Sequence, residues 1–408
     1  MTLVSELGRE WEEAGRAGLR RVLRRLDRVD GVHLKTADDG DLLNFASNDY
    51  LGLASHPRVK EAAITATATY GAGSTASRLI SGSMAPHHEL ENALAVFKKA
   101  EAALTFSSGY ATALGVLPAL VGRGDFVVLD RLSHASLVDG ARLSGATLRV
   151  FRHNDVEDLE RIMRWVSPRR ASMNRKGESH HSRVLVVTES VFSMDGDTAP
   201  LGELVRLKDA HDAWLMVDEA HATGVLGPGR RGWIEALGLT GRVEVPMGTL
   251  GKALGAAGGY VVGPAILRDH LIHRGRSFVF STAPPPAAAA AARAALGVIE
   301  SAEGAERCEA LWQRIQQLHQ GMQSLGWPLP QPESPILPLM VGAESKAVEV
   351  ADTLRASGIL IPAIRFPTVP RGKARLRITV SASHGRDDVD RLLTVLADAI
   401  RRLGLRPD

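Results

Sequence analysis

Short apolar runs alternate with amphipathic segments through the central part of the chain. Strand-like runs occupy residues 103–106, 126–129, 147–151, 184–188, 214–218, 243–247 and 259–263. Apolar positions at helical spacing lie between most of them, for example over residues 110–120 and 155–165. Apolar strands that alternate with helices are typical of a mostly parallel sheet covered on both faces. The pattern predicts an α/β fold with functional residues at the carboxyl ends of the strands.

The two ends of the chain show other patterns. Apolar residues at steps of three or four, from Val4 to Leu26, predict an amphipathic helix that packs on a core or on a partner subunit. Residues 30–45 predict a small hairpin around ADDGD. After a proline-rich loop and a long helix, a second α/β pattern ends in a helix over residues 386–403. We therefore predict a helical arm and hairpin (1–56), a large domain (57–288) and a small C-terminal domain (289–408).

Composition narrows the possible classes of protein. The 408 residues include 45% hydrophobic residues, carry a net charge of +3 and contain one cysteine, so no internal disulfide can form. No stretch is apolar enough to span a bilayer, and charges interrupt the first residues where a signal peptide needs an apolar core. The sequence contains no basic run with interleaved aromatic residues, the pattern that would predict nucleic-acid binding. We expect a cytoplasmic protein. The basic segment 167–183 has no apolar period and is interpreted as a solvated surface loop.

Two glycine-rich stretches match phosphate-binding motifs only in part. GAGSTA, residues 71–76, fits the relaxed dinucleotide pattern, but the preceding residues predict a helix where that motif follows a strand. GTLGKA, residues 248–253, lacks two residues of a P-loop, since Pro246 stands in place of the first glycine and Ala253 in place of Ser or Thr. Both interpretations are rejected.

A single lysine, Lys252, lies among small residues in TLGKALGAAGG, residues 249–259. Burying an amine and ordering glycine-rich backbone both cost free energy. An enclosed lysine can lose its proton near neutral pH and attack a carbonyl to form a Schiff base. The commonest partner in such chemistry is pyridoxal 5'-phosphate. This cofactor needs a carboxylate at its ring nitrogen, a stacking partner for its ring and N–H groups at a helix start for its phosphate.

Each of these needs has a candidate. Asp218 ends the apolar run LMVD, where a carboxylate would meet the ring nitrogen. Ser108, Gly109 and Tyr110 lie at a strand-to-helix turn suited to a phosphate. His134 follows another strand, where its imidazole could stack on the ring. An acid at a strand end can be purely structural, and an isolated histidine is more often a surface residue. The convergence of three features favours the cofactor site.

At these residues the chain resembles the α-oxoamine synthases, which are fold type I pyridoxal-phosphate-dependent transferases. The resemblance covers nearly the whole chain and is carried, in order, by NFASNDYLGLASHP, GAGSTASRLISGSMAPHHELE, SSGYATALG, DRLSHASLVDGARLS, TESVFSMDGDTAPL, LMVDEAHATGVLG, TLGKALGAAGG, FSTAPPPA and IRFPTVPRGKARLRIT. It implies a mostly parallel sheet in a large domain and a smaller α/β C-terminal domain. The chain departs from the family at the basic segment 167–183 and at GAGSTASR, where the family pattern is often richer in glycine. Neither departure removes a catalytic residue.

The resemblance also implies a role for each site residue. Lys252 carries the cofactor as a Schiff base, and the catalytic partners are Asp218 at the ring nitrogen, His221 at the phenolic oxygen and His134 stacked on the ring. The other implied cofactor contacts are Ser108, Gly109, Tyr110, Ser193 and Thr249, with Ser281 and Thr282 reaching the phosphate in the neighbouring subunit. The implied substrate contacts are Arg377 for the amino-acid carboxylate, with Asn48 and His134 nearby, and Arg20 and Thr368 for the acyl substrate. Arg21, Arg24 and Arg25 crowd the segment of Arg20, so which arginine contacts substrate stays open.

The implied reaction is a decarboxylative condensation of an amino acid with an acyl-CoA thioester in a homodimer with shared active sites. The stretches SNDYLGL, DRLSHASL, SMDGDTAPL and IRFPTVP are most like the biotin-pathway branch, which implies L-alanine and pimeloyl-CoA or a pimeloyl carrier-protein thioester. The alternatives are glycine with acetyl-CoA and a longer acyl chain. A non-catalytic relative kept as a partner subunit is disfavoured, because Lys252, Asp218, His134 and His221 are all present. We expect no metal site, and the composition favours neither a membrane nor a nucleic acid as a partner.

Overall fold

The computed structural model describes residues 2–16, 19–174, 181–327 and 329–405. By internal contacts the chain forms two compact units. The large unit contains residues 48–193 and 197–309, and the small unit contains residues 1–47, 194–196 and 310–408. The three-part division with boundaries after residues 56 and 288 stays a prediction.

Strands and helices alternate along most of the chain. The strands are β1 (Arg28–Asp30), β2 (His33–Thr36), β3 (Gly40–Asn44), β4 (Ala102–Phe106), β5 (Phe126–Asp130), β6 (Thr147–Phe151), β7 (Val184–Glu189), β8 (Trp214–Asp218), β9 (Val245–Thr249), β10 (Gly259–Gly263), β11 (Ile336–Gly342), β12 (Ile359–Leu360), β13 (Ala363–Ile364) and β14 (Ala374–Thr379). The helices are α1 (Leu3–Arg16), α2 (Pro57–Tyr70), α3 (Ala85–Lys98), α4 (Gly109–Leu120), α5 (Ala135–Ser144), α6 (Val156–Asn174), α7 (Leu201–Ala210), α8 (Trp233–Ala236), α9 (Ala265–Arg274), α10 (Arg276–Val279), α11 (Pro286–Glu300), α12 (Ala302–Ser324), α13 (Glu344–Ala356) and α14 (Arg386–Leu403). Over the described residues, no helix combines the length and the apolar character needed to cross a membrane.

The large unit is built around a seven-stranded sheet. Its strand order is β4-β10-β9-β8-β7-β5-β6, and β10 runs antiparallel to both of its neighbours while the remaining pairs are parallel. Each of the seven predicted runs forms one of these strands. The carboxyl ends of β5, β7, β8 and β9 lie at the same edge of the sheet, where the chain leaves toward the predicted site residues.

Apolar side chains cover both faces of this sheet. In β5, Val127 and Leu129 belong to one buried cluster, while Phe126 and Val128 belong to the other. Successive side chains of a strand point to opposite faces, so an uninterrupted apolar run fits a strand that is buried on both sides. The predicted α/β class and mostly parallel sheet are confirmed.

The small unit contains two further sheets. The predicted hairpin is present, because β2 and β3 pair antiparallel across the ADDGD turn, with β1 on one side and the short β12 parallel to β3 on the other. The second sheet has the order β11-β14-β13. The helix predicted over residues 386–403 is α14.

The N-terminal helix is shorter than its apolar pattern predicts. It ends at Arg16 and has no buried residue, and the chain from residue 19 to residue 26 is not helical. The Arg20 side chain folds back on the helix, with Nε donating to the Trp11 carbonyl at 3.0 Å and the guanidinium 4.9 Å from the Trp11 ring centroid. The prediction of one helix from Val4 to Leu26 is therefore wrong. Residues 17 and 18 lie outside the described residues.

The basic segment 167–183 is only partly a loop. Helix α6 continues through Pro168 to Asn174. Its arginines have partners that the sequence pattern does not reveal: the Arg169 guanidinium lies 3.8 Å from the Trp165 ring centroid, and Arg170 donates to the Asp212 carboxylate at 2.8 Å. These contacts explain why the loop interpretation is wrong up to residue 174. Residues 175–180 lie outside the described residues.

Candidate active site

Lys252 lies in the turn between β9 and β10, at the carboxyl edge of the large unit's sheet. Its Nζ is 2.6 Å from Nε2 of His221, which follows β8. The turn needs small residues, because Gly255 has a φ of +61° and a Cβ there would come within 2.2 Å of the Ala54 main-chain nitrogen. The glycine-rich sequence thus brings the backbone close to the turn after residue 50 while the amine faces an imidazole.

A chain of hydrogen bonds fixes the orientation of His221. The Tyr50 hydroxyl is 2.6 Å from His221 Nδ1 and donates to Asn48 Oδ1 at 3.2 Å. In the arrangement in which that hydroxyl donates its proton to Asn48 Oδ1, it accepts from Nδ1–H of the imidazole. Nε2 is then the unprotonated nitrogen and accepts from the amine of Lys252. Tyr50 is fully buried, so water does not compete for these contacts at its hydroxyl.

Asp218 is a buried carboxylate at the end of β8. Its Oδ1 accepts the Ala220 N–H at 2.9 Å, and no donor among the described residues is bonded to its other carboxylate oxygen. Burial raises the pKa of Asp218, while its electrostatic interaction with Lys252 and the hydrogen bond from the Ala220 N–H act in the opposite direction. The site therefore contains a desolvated carboxyl with one oxygen available to a further donor.

His134 caps the start of α5 and leaves its ring accessible. Its Nδ1 accepts the Ser136 N–H at 3.2 Å and lies 2.8 Å from the Ser136 hydroxyl. Its own main-chain N–H donates to Glu189 Oε1 at 2.5 Å. Desolvation lowers the pKa of His134, and the charge of Asp218 offsets only part of this effect. The lowered pKa favours a neutral imidazole at neutral pH.

The start of α4 lies beside the end of β9. Ser108 is the N-cap and accepts the Ala111 N–H at 3.0 Å, and Gly109 begins the helix. A Cβ on Gly109 would lie 3.3 Å from Cβ of Thr249, so the helix start and the end of β9 are close neighbours. The Thr249 hydroxyl donates to the Gly258 carbonyl at 3.0 Å. The side chain of Tyr110 turns away to Asp139, leaving its backbone N–H at the helix start.

The other predicted cofactor residues of the large unit lie on two loops. Ser193 is half-buried in the turn after β7. Thr282 is exposed and pairs with Ser77 in an isolated antiparallel bridge, and Ser281 precedes it, half-buried. The loop is fixed from behind by two donors to the Pro284 carbonyl, the Ser74 hydroxyl at 2.6 Å and His87 Nε2 at 2.8 Å.

Three of the predicted substrate residues belong to the small unit. Arg377 lies in β14 with only 5% of its surface exposed. Thr368 is exposed, and its N–H donates to the Arg365 carbonyl at 3.0 Å. The Arg20 side chain is occupied by Trp11 as described above, and Arg365 donates to the Arg20 carbonyl at 3.2 Å. The other two, Asn48 and His134, belong to the large unit, where Asn48 is half-buried and accepts from Tyr50.

The sequence analysis did not predict two residues that lie at the site. Tyr50 stands in SNDYLGL beside Asn48, but no pattern links it to His221, 171 residues away. Glu189 ends the apolar run VLVVTE just as Asp218 ends LMVD, and its contact with His134 places it at the site. The second residue could have been found, because an acid at the end of a buried strand is the same indication that identified Asp218.

The described residues fit pyridoxal 5'-phosphate. The large unit brings together the Lys252 amine, the accessible His134 imidazole and the buried Asp218 carboxylate, which has one oxygen available to a pyridinium N–H. It also contains the start of the twelve-residue helix α4, whose first N–H groups are flanked by hydroxyls. Gly109 and Thr249 lie close together at the start of α4, and a Cβ at residue 109 would narrow the space between them. Amine, carboxylate, stacking ring and phosphate cradle are the four groups that this cofactor requires.

Known proteins resemble the chain over nearly its whole length. The family model for aminotransferase class I and II matches residues 40–396. An 8-amino-7-oxononanoate synthase of Symbiobacterium thermophilum is 43% identical over 405 residues, covering 99% of this chain and 100% of that protein. A synthase of the same name from Anaeromyxobacter dehalogenans is 48% identical over 391 residues, with 96% of this chain and 94% of that protein covered.

A solved structure has the same fold. Serine palmitoyltransferase from S. paucimobilis, with a bound PLP–myriocin aldimine, superposes with a TM-score of 0.90 at 30% identity and covers 99% of this chain and 100% of its own. The family match, the two relatives and this structure agree with the geometry of the site. The chain therefore belongs to the aminotransferase class I and II family and, within it, to the α-oxoamine synthases, fold type I pyridoxal-phosphate enzymes.

Proposed function

We propose that the chain is an 8-amino-7-oxononanoate synthase of biotin biosynthesis. It joins L-alanine to the acyl group of pimeloyl-CoA, or of a pimeloyl carrier-protein thioester, and releases 8-amino-7-oxononanoate, CO2 and the free thiol. One observation carries the proposal: the Lys252 amine lies 2.6 Å from His221 in a site with a buried carboxylate, in a chain 43% identical to such a synthase over that protein's full length.

Proton transfer at the amino-acid α-carbon is the task of Lys252. When bound, pyridoxal 5'-phosphate supplies an electron sink for the pair left by a broken C–H or C–CO2 bond. The unprotonated amine of Lys252 takes the α-proton as general base and later returns a proton to the product. His221 Nε2 holds that amine through a hydrogen bond, and Tyr50 holds the imidazole in the tautomer that accepts it. The Asp218 carboxylate would accept from the pyridinium N–H of the cofactor and favour the protonated form of the ring nitrogen.

The remaining predicted residues bind the cofactor and the substrates. Ser108, Gly109 and Tyr110 offer the start of α4 to the phosphate, with the Thr249 hydroxyl beside them, and Ser193 contacts the cofactor. Arg377 binds the amino-acid carboxylate, for which a buried guanidinium is the fitting partner, and Asn48 assists it. Arg20 and Thr368 contact the acyl substrate, and an arginine suits a chain that ends in a carboxylate or ester. The accessible imidazole of His134 would stack on the cofactor ring.

The proposed active unit is a homodimer in the cytoplasm. The loop of Ser281 and Thr282 presents an exposed hydroxyl beside Phe280, which is 72% exposed, and its backbone is fixed from behind at Pro284. An ordered hydroxyl on an exposed loop suits a phosphate held by a second copy of the chain. Mass measurement in solution tests the assembly, since a catalytically active monomer would contradict it. Cell fractionation tests the location.

Direct product analysis tests the function. Protein reconstituted with pyridoxal 5'-phosphate is incubated with L-alanine and pimeloyl-CoA, and the products are identified by mass spectrometry. We expect 8-amino-7-oxononanoate, with one CO2 and one CoA released for each product molecule. With 1-¹³C-labelled L-alanine the label should leave entirely as CO2. Retention of the carboxyl label in the product, or no product with the cofactor bound, would contradict the proposal.

A further inference from the structure

Two buried acids lie side by side at the carboxyl edge of the large unit's sheet. Glu189 is the last residue of β7 and Asp218 the last residue of β8, and the two are paired in register on adjacent parallel strands. Glu189 is 3% exposed and Asp218 is 7% exposed. Neighbouring strands are about 4.8 Å apart, and residues in register point to the same face. Water is thus largely excluded from both carboxyl groups, which face the same region.

A pair of this kind carries one negative charge far more easily than two. Removing a carboxylate from water costs several kcal/mol, and a second carboxylate beside it adds repulsion. The proton retained by the pair goes to the acid whose anion is less well stabilised. The anion of Asp218 is stabilised by its electrostatic interaction with Lys252 and by the Ala220 N–H, which donates to Oδ1 at 2.9 Å. Glu189 accepts one N–H, from His134.

Burial, together with two nearby acids, also favours the neutral form of Glu189. Asp218 on β8 and Asp130 at the end of β5 both raise its pKa, while Lys252 after β9 and the His134 N–H before α5 lower it. Burial is the largest contribution, and together these raise the pKa of Glu189 to about 8. Part of the negative charge of Asp130 is already matched by His153, whose Nδ1 lies 3.0 Å from Asp130 Oδ1.

We propose that Glu189 is a positioning residue that stays protonated at neutral pH, so that the single negative charge of the pair resides on Asp218 while Glu189 fixes the main chain of His134. This inference rests on the proposed use of Asp218 at the cofactor ring nitrogen. A neutral carboxyl can still accept the His134 N–H through its carbonyl oxygen. The charge then lies where the ring nitrogen needs it, and the stacking imidazole is held by its backbone.

The test compares neutral replacements at the two positions in holoenzyme. Glu189→Gln keeps the shape and the acceptor of a protonated glutamate. At pH 7 the affinity of this variant for pyridoxal 5'-phosphate should therefore stay within about threefold of native, and the visible absorption band of the bound cofactor should not shift. Asp218→Asn, the matched change on the next strand, should shift the band and weaken binding by about tenfold or more. Glu189→Ala removes the acceptor for His134 and should weaken cofactor binding about tenfold.

The pH dependence gives the readout that a purely structural residue would not move. Raising the pH above neutral should ionise Glu189 in the native holoenzyme and change the cofactor band, and Glu189→Gln should lack that component. If Glu189→Gln does not fold, isotope-edited infrared spectroscopy of native holoenzyme labelled with ¹³C-glutamate should still show a buried protonated carboxyl at pH 7 that disappears above pH 9.

The outcomes separate this inference from the proposed function. Native protein that does not take up pyridoxal 5'-phosphate contradicts the proposed function. Native protein that binds it, with Glu189→Gln as impaired as Asp218→Asn, contradicts the inference alone. Identical pH titrations of native and Glu189→Gln holoenzyme, no buried protonated carboxyl in the infrared spectrum, or Glu189→Ala equal to native would also overturn it.

Discussion

The amine of Lys252 and the imidazole of His221 are in direct contact, with Nζ 2.6 Å from Nε2. The histidine is itself held by the buried Tyr50, so the contact belongs to a continuous path from Asn48 to Lys252. A general base must be oriented before it can take a proton. The path orients the Lys252 amine through hydrogen bonds, and no carboxylate takes part in it. The predictions below test the path, its neighbouring carboxylate and the substrates.

Replacing Lys252 by alanine should remove the covalent attachment of the cofactor. In the native protein, borohydride should fix pyridoxal 5'-phosphate to the peptide that contains residue 252, as detected by mass spectrometry after digestion. Lys252→Ala should lose this adduct and all turnover, because no other amine takes its place at the turn. Lys60→Ala, an exposed lysine on α2, is the control and should behave as native. An unchanged adduct in Lys252→Ala would place the attachment elsewhere.

Removing one oxygen from Tyr50 should weaken the path. Tyr50→Phe leaves Nδ1–H of His221 buried without its acceptor, which costs about 1–3 kcal/mol. The expected result is a fall of roughly tenfold in kcat/KM, with the pH–rate profile shifted because the imidazole tautomer is no longer fixed. Tyr70→Phe, at the exposed end of α2, serves as the control. A native pH profile in Tyr50→Phe would show that the hydroxyl does not hold His221 in its tautomer.

Neutralising Asp218 should slow the breaking of the α-C–H bond. Asp218→Asn keeps the shape of the side chain but no longer favours a protonated ring nitrogen. Exchange of the L-alanine α-proton with D2O, followed by NMR, should fall by about 10²–10³-fold, the usual range when a key electrostatic partner is lost. Exchange at the native rate would refute the role of Asp218.

The buried His384 predicts how stability depends on pH. Its Nδ1 accepts the Ser381 N–H at 2.9 Å and its Nε2 donates to the Asn44 carbonyl at 3.0 Å, so the native structure requires a neutral ring. Burial is the main cause that lowers the pKa of His384 from 6.5 to about 4. Between these values the unfolded chain binds a proton that the native chain does not. The free energy of unfolding should therefore fall as the pH decreases from 6.5 toward 4.

Denaturant unfolding at two pH values measures this contribution. Between pH 7 and pH 5 His384 should account for about 2 kcal/mol of lost stability. His384→Gln should be less stable than native at pH 7, but the stability it loses between the two pH values should be smaller than the native loss by that amount. His273→Gln, an exposed histidine on α9, should retain the native pH dependence. Equal losses in native and His384→Gln would contradict the account of this residue.

Local patterns in the sequence were sufficient for the sheet and for much of the site. Each strand of the large sheet is an apolar run. Asp218 ends one such strand and Lys252 lies three residues after another, so their positions at one edge follow from the parallel topology. The partners of these residues come from distant segments. Tyr50 reaches His221 across 171 residues of chain, and only the folded structure brings the two together.

Tertiary contacts also explain the elements that were predicted wrongly. The pattern of α6 loses its apolar period before the helix ends, and the helix continues because Arg169 and Arg170 find Trp165 and Asp212. At the other end, Arg20 folds onto Trp11 where the periodicity alone predicts further helical turns. Stacking and ion pairs with residues outside the repeat leave no trace in a hydrophobic pattern.

Substrate selection is the most direct test of the proposed synthase. The holoenzyme is assayed for CoA release with L-alanine or glycine, each combined with acetyl-, hexanoyl- and pimeloyl-CoA, and kcat/KM is determined for the six pairs. Each buried methylene is worth about 0.8 kcal/mol, so a fitted site should favour pimeloyl over acetyl by up to several powers of ten. The account predicts the highest kcat/KM for L-alanine with pimeloyl-CoA. The highest value for glycine with acetyl-CoA would contradict it.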